Sequence, residues 1–319
     1  MDFDQLRTFL LAAELQSFTQ AARRLNFSQS AISQQIRDLE DRLGVRLFER
    51  HSRSVSLTPA GERLRPRART ILKEVEDAVG ELGELRGQPQ GVVRIGASLT
   101  PGVYLLPHAL GRFSERYPGV RASLDVLSGD ELTRAMQQGD IDVALVEEDI
   151  LPARVFGWER VHAITDEIVA IAPTGDPLLA SMPIPLERLA ELNVILRPEH
   201  SPMRQTIIDH LAAAGFNPNR LRIRFELGNT EGIKQAVQAG LGVGFVSIFA
   251  LDRVHPGYER LAIEGLRITR PLWLMRPTKQ RTPMPERFAE LVLALDWLPE
   301  GVSVPAPPGG VGALAQERV

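Results

Sequence analysis

A short stretch of the N-terminal region combines hydroxyl, amide and guanidinium groups at helical spacing. Its apolar residues, Ile32, Ile36, Leu39 and Leu43, follow steps of four, three and four residues and therefore share one face of a helix. The side chains directed away from that face are Ser30, Gln34 and Arg37, with Ser33 on its flank. An amide pairs bidentately with adenine, a guanidinium with guanine, and hydroxyls with either, so this face has the chemistry for contacts with base edges.

Two shorter helices are predicted before this one. The first buries a stripe at i, i+3, i+4 and i+7 formed by Leu6, Phe9, Leu10 and Ala13. The second buries Ala21, Ala22 and Leu25, with Ser17 or Thr19 available as its N-cap. Ser28 is placed to cap the third helix, and Gly44 to end it. Together these patterns indicate three short packed helices, with the polar face of the third exposed.

A hairpin with a basic tip is predicted directly after the third helix. Two apolar arms between Val45 and Leu57 flank a polar tip in which Arg50 and Arg53 can contact phosphate or a neighbouring minor groove. A generic three-helix bundle with a solvated polar face would explain the third helix alone. The helices, the serine-rich third helix and the basic wing together favour a winged helix-turn-helix.

The overall composition neither supports nor excludes this interpretation by itself. The net charge is −3, and residues 1–58 hold eight Arg against seven Asp and Glu, so local placement has to carry the argument. The absence of cysteine excludes disulfides, thiol catalysis and thiolate metal sites. The acidic N-terminus does not resemble a signal peptide, and no apolar run approaches the roughly 20 residues of a membrane span. We therefore expect a cytoplasmic protein without a membrane partner.

The N-terminal residues resemble the DNA-binding domain of LysR-type transcriptional regulators. The resemblance rests on the runs Ser17-Phe18-Thr19-Gln20-Ala21-Ala22, Ser28-Gln29-Ser30-Ala31-Ile32-Ser33 and Leu57-Thr58-Pro59-Ala60-Gly61, and on Ile36, Leu39-Glu40, Leu43-Gly44, Leu47-Phe48 and Arg50 between them. It implies that residues 1–58 bind double-stranded DNA, with the third helix in the major groove and the wing on the backbone. The DNA-contacting set is then Gln29, Ser30, Ser33, Gln34, Arg37, Arg50 and Arg53. RNA polymerase is a further candidate partner of such a regulator.

A long linker helix and hinge are predicted over residues 59–91. Thr58-Pro59 has the pattern of an N-cap followed by proline at the first helical position, and Pro66 is expected to kink the first turns. The heptad positions are Leu64, Ala68, Ile71, Val75, Ala78, Leu82 and Leu85. A helix packed on its own domain is one explanation of this seam. Pairing with a second copy is favoured because the Gly- and Pro-rich stretch after it leaves few local partners, and LysR-type proteins dimerise through the same helix.

From residue 92 onward, strands and helices alternate. The predicted strands are Val92–Ala97, Val120–Leu127, Ile141–Val146, Glu167–Ala172, Val194–Arg197, Leu221–Leu227 and Val243–Ser247. The predicted helices are Val103–Arg116, Glu131–Gln138, Pro202–Ala214 and Glu231–Ala239. This order indicates mostly parallel sheets with helices on both faces, arranged as two α/β lobes.

Polar residues cluster where these strands end and helices begin, which is where open α/β sheets bind ligands. They are Ser98, Thr100, Ser128, Ser201, Arg204, Asn229, Thr230 and Ser247. Each hydroxyl alone is explained by helix capping, but their recurrence in two lobes favours a binding cleft. Arg204 could clamp an anion bidentately, so we expect a small carboxylate or inorganic anion as the effector.

The region 92–298 resembles the periplasmic-binding-protein-like effector domain of LysR-type regulators, most clearly from Asn229 to Phe245. In that fold the chain crosses between lobes twice, here expected near Val161–Thr165 and Gly265–Thr269. Lobe one would then comprise residues 92–161 and 268–298, and lobe two residues 162–267. The sequence departs from the pattern at His200-Ser201-Pro202-Met203, where relatives carry a small, glycine-rich loop. Residues 299–319 are predicted to be a disordered tail.

The favoured function is a DNA-binding transcriptional regulator, acting as a dimer or dimer of dimers, whose activity a small molecule modulates. An enzyme with an appended DNA-binding domain is disfavoured because no nucleotide loop, nucleophile elbow or metalloprotease motif occurs and the six histidines are scattered. No catalytic residue, metal ligand or cofactor is therefore predicted. A solute-binding transport protein is opposed by the N-terminal domain. An effector-independent DNA-binding protein whose lobes serve only oligomerisation remains as the alternative.

Overall fold

The computed structural model describes residues 1–50, 55–86, 89–147, 151, 155–252, 257–279 and 283–297. These residues form two compact units. The first consists of Met1–Ala163 and Trp273–Leu293, and the second is built on Ile164–Leu272. No helix in the described ranges is long and apolar enough to span a membrane.

Three helices open the first unit: α1 (Phe3–Leu15), α2 (Phe18–Leu25) and α3 (Gln29–Leu43). Asp2, Ser17 and Ser28 cap their N-termini, each accepting a hydrogen bond from a backbone N–H of the first turn. The C-cap of α3, Gly44, has φ +69°, a conformation that glycine adopts without strain. The core of the three helices contains Leu6, Phe9, Ala12, Phe18, Ala21, Ala22, Ile32, Ile36 and Leu39. The three predicted helices are confirmed. Of their predicted apolar faces, Leu10, Ala13 and Leu25 are only partly buried, and Leu43 at the last turn of α3 is 39% exposed.

The wing is a two-stranded antiparallel sheet of β1 (Phe48–Arg50) and β2 (Val55–Leu57), in which Phe48 pairs with Leu57. The Phe48 ring fixes the sheet to the helices, since it lies 5.5 Å from the Phe9 ring and 5.2 Å from the Phe18 ring. The predicted tip, residues 51–54, lies outside the described residues. The strands therefore belong to the same core as the helices.

Helix α4 (Pro59–Leu85) follows the wing and continues through Pro66. In the first half of α4, the residues predicted to pair with a second copy pack within their own chain. Ala68 is fully buried in the helix-turn-helix core, and Leu64 and Ile71 pack against the same core. These three residues are thus used within their own chain. Of the remaining predicted positions, Val75 is partly buried, Ala78 is exposed, and Leu82 and Leu85 are 59% and 84% exposed. The neighbouring Val79, which was not predicted, is 55% exposed.

The α/β part of the first unit, here called lobe one, is built on a parallel sheet. β3 (Gly91–Ala97) lies between β4 (Val120–Val126) and β5 (Val143–Glu147). The connecting helices are α5 (Leu106–Arg116) and α6 (Gly129–Gln138). A π-helical turn, Pro101–Leu105, precedes α5, so the predicted helix from Val103 begins in a wider winding.

The second unit has a mixed sheet. β9 (Val243–Ser247) lies between β6 (Trp158–Pro173) and β7 (Asn193–Leu196), and β7 also pairs with β8 (Arg222–Glu226). β6 runs antiparallel to β9 and to β10 (Tyr258–Leu261). Helices α7 (Pro202–Ala213) and α8 (Thr230–Gln238) connect the parallel strands. The predicted strands and helices of this unit are present, but β6 begins well before Glu167 and β10 was not predicted.

The chain passes between the units inside two long strands. The first passage follows Ala163 in β6, and the second follows Leu272 in β11 (Ile268–Pro277). The second passage lies later in the chain than the expected Gly265–Thr269. Helix α9 (Pro283–Ala294), which the sequence analysis did not identify, returns to the first unit and buries Phe288 and Val292.

Asp77 on α4 is partly buried beside Gly91 of β3 and Met284 of α9. Its Oδ2 is buried and has no hydrogen-bond partner among the described residues. Burial raises the pKa of Asp77 from 3.8 to about 6, against the attraction of Lys73 and with a smaller contribution from Asp142. Because the folded pKa exceeds the unfolded one, stabilisation by the protonated form is complete below about pH 4 and is lost as the pH rises through 6.

We therefore expect Asp77→Asn to stabilise the protein at about pH 8 and to make little difference at about pH 3.5, below the unfolded pKa. The gain is about 1 kcal/mol, which is reduced from the full effect of the shift because the group is partly exposed. Thermal unfolding across this pH range measures it. The exposed Asp125→Asn is the matched control. If the difference in unfolding temperature between the wild type and Asp77→Asn does not change with pH, the assignment of the titration to Asp77 is wrong.

Candidate DNA interface and effector-binding residues

The exposed face of α3 presents the polar side chains that were predicted to contact DNA. Gln29, Ser30, Gln34 and Arg37 are all exposed. Gln34 accepts a hydrogen bond from Arg37 Nη2 at 2.7 Å and donates one to Asp38 Oδ1 at 2.6 Å. The amide and guanidinium are thus held side by side along one ridge. This arrangement offers donors and acceptors toward an incoming base edge.

Three members of the predicted DNA-contacting set need separate comment. Ser33 is buried, 6% exposed, and its hydroxyl accepts a hydrogen bond from Gln29 Nε2 at 3.4 Å, so it does not lie on the exposed flank as predicted. It follows Ile32 on the inward side of the helix. Arg50 ends strand β1, but its side chain is outside the described part of the structure, as is the whole of Arg53. Their contacts with phosphate stay predictions.

A buried carboxylate, to which the sequence analysis assigned no role, connects α3 with the wing. Glu40 is 3% exposed, and its Oε1 accepts hydrogen bonds from the backbone N–H groups of Leu47 at 2.7 Å and Phe48 at 3.1 Å. Arg46 lies 3.3 Å from the other oxygen. A carboxylate bound to backbone N–H groups forms strong, directional hydrogen bonds. Glu40 therefore sets the position of the wing relative to the recognition helix.

In lobe one, the predicted effector residues lie at the ends of β3 and β4. Ser98 and Thr100 are buried, and both contact Glu147 at the end of β5: Glu147 N donates to Ser98 Oγ at 3.2 Å, and Thr100 N donates to Glu147 Oε1 at 3.4 Å. Ser128 is exposed and donates its hydroxyl to Glu131 at 2.6 Å. Glu147 was not identified from the sequence, although an acid directly after a buried strand is a signal for this position.

In the second unit, Asn229 and Thr230 form the N-terminus of α8. Asn229 Oδ1 accepts a hydrogen bond from Gly232 N at 2.7 Å, so this side chain is a helix cap. Thr230 is 2% exposed, and its Oγ1 has no hydrogen-bond partner among the described residues. A buried hydroxyl without a partner is costly unless a ligand or a water satisfies it.

Ser247 belongs to a buried polar network. Its hydroxyl donates to Asp166 Oδ1 at 2.6 Å, and Asp166 Oδ2 accepts from Arg270 Nε at 2.9 Å. Ser247 and Asp166 are fully buried, and Arg270 is 6% exposed. Asp166 and Arg270 were not identified from the sequence because they are 104 positions apart.

Ser201 and Arg204 occupy the start of α7. Ser201 is buried, at 7% exposure. Arg204 donates to the backbone oxygen of Arg197 at 3.1 Å and to Glu226 Oε1 at 2.5 Å. An anion clamp at Arg204 would thus have to replace Glu226. Within the described ranges, no three His, Cys, Asp or Glu side chains are grouped so that they could hold a metal ion.

A winged helix-turn-helix, a linker helix and an α/β domain in two units define a DNA-binding regulator with an effector-binding domain. Residues 3–62 match the family model of the lysR-family bacterial regulatory helix-turn-helix protein, and residues 86–296 match that of the LysR substrate binding domain. The chain belongs to the LysR family of transcriptional regulators.

Relatives of similar length support this assignment. A probable RuBisCO transcriptional regulator of Porphyra purpurea is 35% identical over 296 residues, which cover 92% of this chain and 93% of the relative. One from Trichormus variabilis is 33% identical over 293 residues, with 91% and 87% covered.

Two solved structures are similar to this chain. Full-length CbnR, solved with its target DNA, is 25% identical with a TM-score of 0.65, and the match covers 92% of this chain and 99% of CbnR. The regulatory domain of CcmR from Synechocystis PCC6803, solved with 2-PG, is 26% identical with a TM-score of 0.56, and 64% of this chain and 97% of that domain are covered.

The exposed ridge of α3 leads to a prediction about base discrimination. We expect the double variant Gln34→Ala/Arg37→Ala to lose preference for its operator, because each base contact contributes about 1–3 kcal/mol of discrimination. The operator is first recovered by sequencing the genomic fragments that the wild-type protein retains. Binding to operator and to scrambled duplex is then compared at several salt concentrations. Unchanged discrimination would show that another face of the domain recognises the bases.

Proposed function

We propose that this regulator is controlled by a small anionic effector that binds at the N-terminus of α8 in its second unit. The observation that carries the proposal is the Thr230 hydroxyl, which is buried without a partner at the first residue of that helix. Unpaired backbone N–H groups and the helix dipole at such a terminus favour negative charge. A carboxylate or phosphate oxygen could accept from the hydroxyl and from these N–H groups together.

The neighbouring side chains support a site at this helix end. Asn229 holds the first turn through its bond to Gly232, so the N–H groups are fixed in direction. A Cβ atom added at Gly232 would lie 3.3 Å from Asn229 Oδ1, so the first turn of α8 is tightly packed. The CcmR regulatory domain was solved with 2-PG, which makes 2-PG the first compound to test here. Because two relatives are named probable RuBisCO transcriptional regulators, RuBisCO promoters are the first DNA fragments to test for binding.

A panel of anions, cations and apolar metabolites, titrated calorimetrically into the full chain, tests the effector class. We expect Thr230→Val to weaken binding of the active anion about tenfold through loss of one hydrogen bond to a charged group. The free variant should be as stable as wild type or more so, because the substitution removes an unsatisfied hydroxyl.

Thr206→Val is the matched control for this experiment. Thr206 is buried in α7 of the same unit, and its hydroxyl already donates to the Pro202 oxygen at 3.1 Å. It should lower stability and leave the affinity for the anion unchanged. Binding of only cationic or apolar ligands would contradict the proposed anion site. Equal effects of Thr230→Val and Thr206→Val on affinity would contradict it as well.

We further propose that the chain acts as a dimer joined by the second half of α4, and that two such dimers can assemble. Ala78, Leu82 and Leu85 are exposed and step by four and three residues, which is the arrangement of a helix that pairs with another helix. Two copies would place two α3 helices on the half-sites of one palindromic operator.

Charges introduced on this face should dissociate the dimer. We expect Leu82→Glu/Leu85→Glu to raise the dimer dissociation constant at least about a hundredfold, since four carboxylates would be buried without partners. Val45→Glu, at another exposed apolar residue of the first unit, is the control. Sedimentation equilibrium measures the constant. A double variant that still dimerises with the wild-type constant would place the interface elsewhere.

We propose no catalytic activity and no cofactor for this chain, and a cytoplasmic location with access to DNA. The relatives are transcriptional regulators, which supports this proposal, and the hydroxyls of Ser98 and Ser247 are held in hydrogen bonds with the Glu147 N–H and the Asp166 carboxylate.

A further inference from the structure

A group of charged side chains joins α4 to lobe one within the first unit. On α4, the cations Arg65, Arg69 and Lys73 are spaced by four residues and therefore share one face of the helix. On lobe one, their partners Gln138, Asp140 and Asp142 follow each other between the end of α6 and the start of β5. Residues 138, 140 and 142 thus contact three successive turns of α4.

The innermost pair is formed by Lys73 and Asp142, which are in direct contact. The Asp142 side chain is only 2% exposed. It also accepts a hydrogen bond from Arg94 N at 2.9 Å, and the Arg94 guanidinium lies 3.7 Å away. A carboxylate so deeply buried is tolerated only when cations and N–H groups compensate for lost solvent. Lobe one supplies part of this compensation through Arg94, and α4 supplies the rest through Lys73.

The middle pair is Arg69 and Asp140, with Nε and Oδ1 2.5 Å apart and both side chains about three-quarters buried. Burial raises the pKa of Asp140 and lowers the pKa of Arg69, because loss of solvent outweighs their mutual attraction. Such a pair adds little to stability as a whole. However, removing one partner leaves the other as a buried, uncompensated charge, so the pair makes this position of the helix specific.

The outermost contact is Arg65 with the amide of Gln138, which Arg69 Nη1 also approaches at 3.4 Å. A groove of about 890 Å³ lies between the helix-turn-helix and lobe one, lined by Arg7 and Leu10 of α1, by Arg134 of α6 and by members of the charged group itself. Direct packing between α1 and lobe one is therefore limited at this place. The polar contacts of α4 connect the two parts.

A second set of contacts holds another face of α4. Leu64, Ala68 and Ile71 pack in the helix-turn-helix core. A helix whose neighbouring faces are held by two different bodies cannot rotate or slide against one without disturbing the other. Movement of lobe one relative to α4 would thus be felt by the core that positions α3.

We propose that Arg65, Arg69 and Lys73 form, with Gln138, Asp140 and Asp142, an ionic latch that fixes lobe one to the linker helix of the same chain and carries strain between lobe one and the recognition helix. The latch itself depends only on the contacts above. Its role in transmitting an effector signal rests on the proposed function.

Hydrogen exchange of the full-length chain tests the latch without DNA or effector. The variants are Arg69→Glu, Asp140→Arg and the double variant with both charges exchanged. We expect each single variant to accelerate exchange of the amides of residues 138–142 about tenfold or more, as expected when a charge-assisted contact is lost. The double variant should return these rates close to wild type, because the pair is restored with opposite orientation.

Two controls separate the latch from general effects. Arg67→Glu makes the same charge change on an exposed position of α4 and should leave the exchange of residues 138–142 unchanged. If the variants prove too unstable, the wild-type protein itself is measured at increasing salt, where exchange of this segment should accelerate while amides of α2 do not change. Exchange that is unaffected by Arg69→Glu and by salt, or a double variant no better than the singles, overturns the latch.

Operator DNA is the probe for transmission. Binding of the operator duplex should alter exchange of residues 138–142 in the wild type and in the double variant, but not in Arg69→Glu or Asp140→Arg. An equal response in all four proteins would overturn transmission through the latch. Calorimetry with the anion panel is independent of this experiment, so failure of the proposed effector is distinguished from failure of the latch.

Discussion

Burial of one stripe of α4 in the helix-turn-helix core is the constraint on which the rest of the first unit depends. With Ala68 fully buried there, the rotation of α4 about its axis is fixed, and so is the direction of every other side chain on it. Arg69 and Lys73 can then point only toward lobe one. Leu82 and Leu85 remain exposed further along, because the core ends before they are reached. Helix α4 therefore has one surface in the helix-turn-helix core, one against lobe one and one that is apolar and exposed.

The recognition surface depends on a second buried contact. The polar ridge of Gln34 and Arg37 can discriminate bases only if α3 and the wing keep a constant relative position. Glu40 provides that constancy from the opposite face of α3, since its carboxylate accepts the N–H groups of Leu47 and Phe48 where β1 begins. The desolvation of Glu40 is offset by these bonds. A shift of the wing would leave this carboxylate buried without partners.

Helical and strand periodicity predicted most elements because one buried face leaves a regular pattern in the sequence. It located helices α1 to α8 and strands β1 to β9. It did not reveal what each face is buried against: the seam from Leu64 to Ile71 was assigned to a second copy, yet it packs in its own domain. The same limit explains Ser33, whose angular position lies near the boundary between the two faces. Helix α9 and strands β10 and β11 were missed. Strand β10 has only four residues, and one of the regularly buried positions of β11 is the charged Arg270, so neither strand has a clear apolar alternation.

The candidate effector residues show a different limit. A serine or asparagine before a helix has the same sequence pattern whether it caps the helix or binds a ligand, and Asn229 does cap α8. What separates Thr230 from the others is its burial without a partner, which only the structure reveals. Long-range partners such as Glu147 with Ser98 are likewise invisible to local patterns, because 49 positions separate them.

The network of Ser247, Asp166 and Arg270 extends this argument to the two strands that enter and leave the second unit. Asp166 lies in β6 just after the first passage, and Arg270 lies in β11 just before the second. Their buried ion pair ties the two strands together, and Ser247 adds the end of β9. Removal of Asp166 would take a buried partner from both Ser247 and Arg270, and loss of a partner from a buried charge costs more than the bond itself contributes. The edge of the second unit is thus held by polar contacts that require one specific arrangement of the strands.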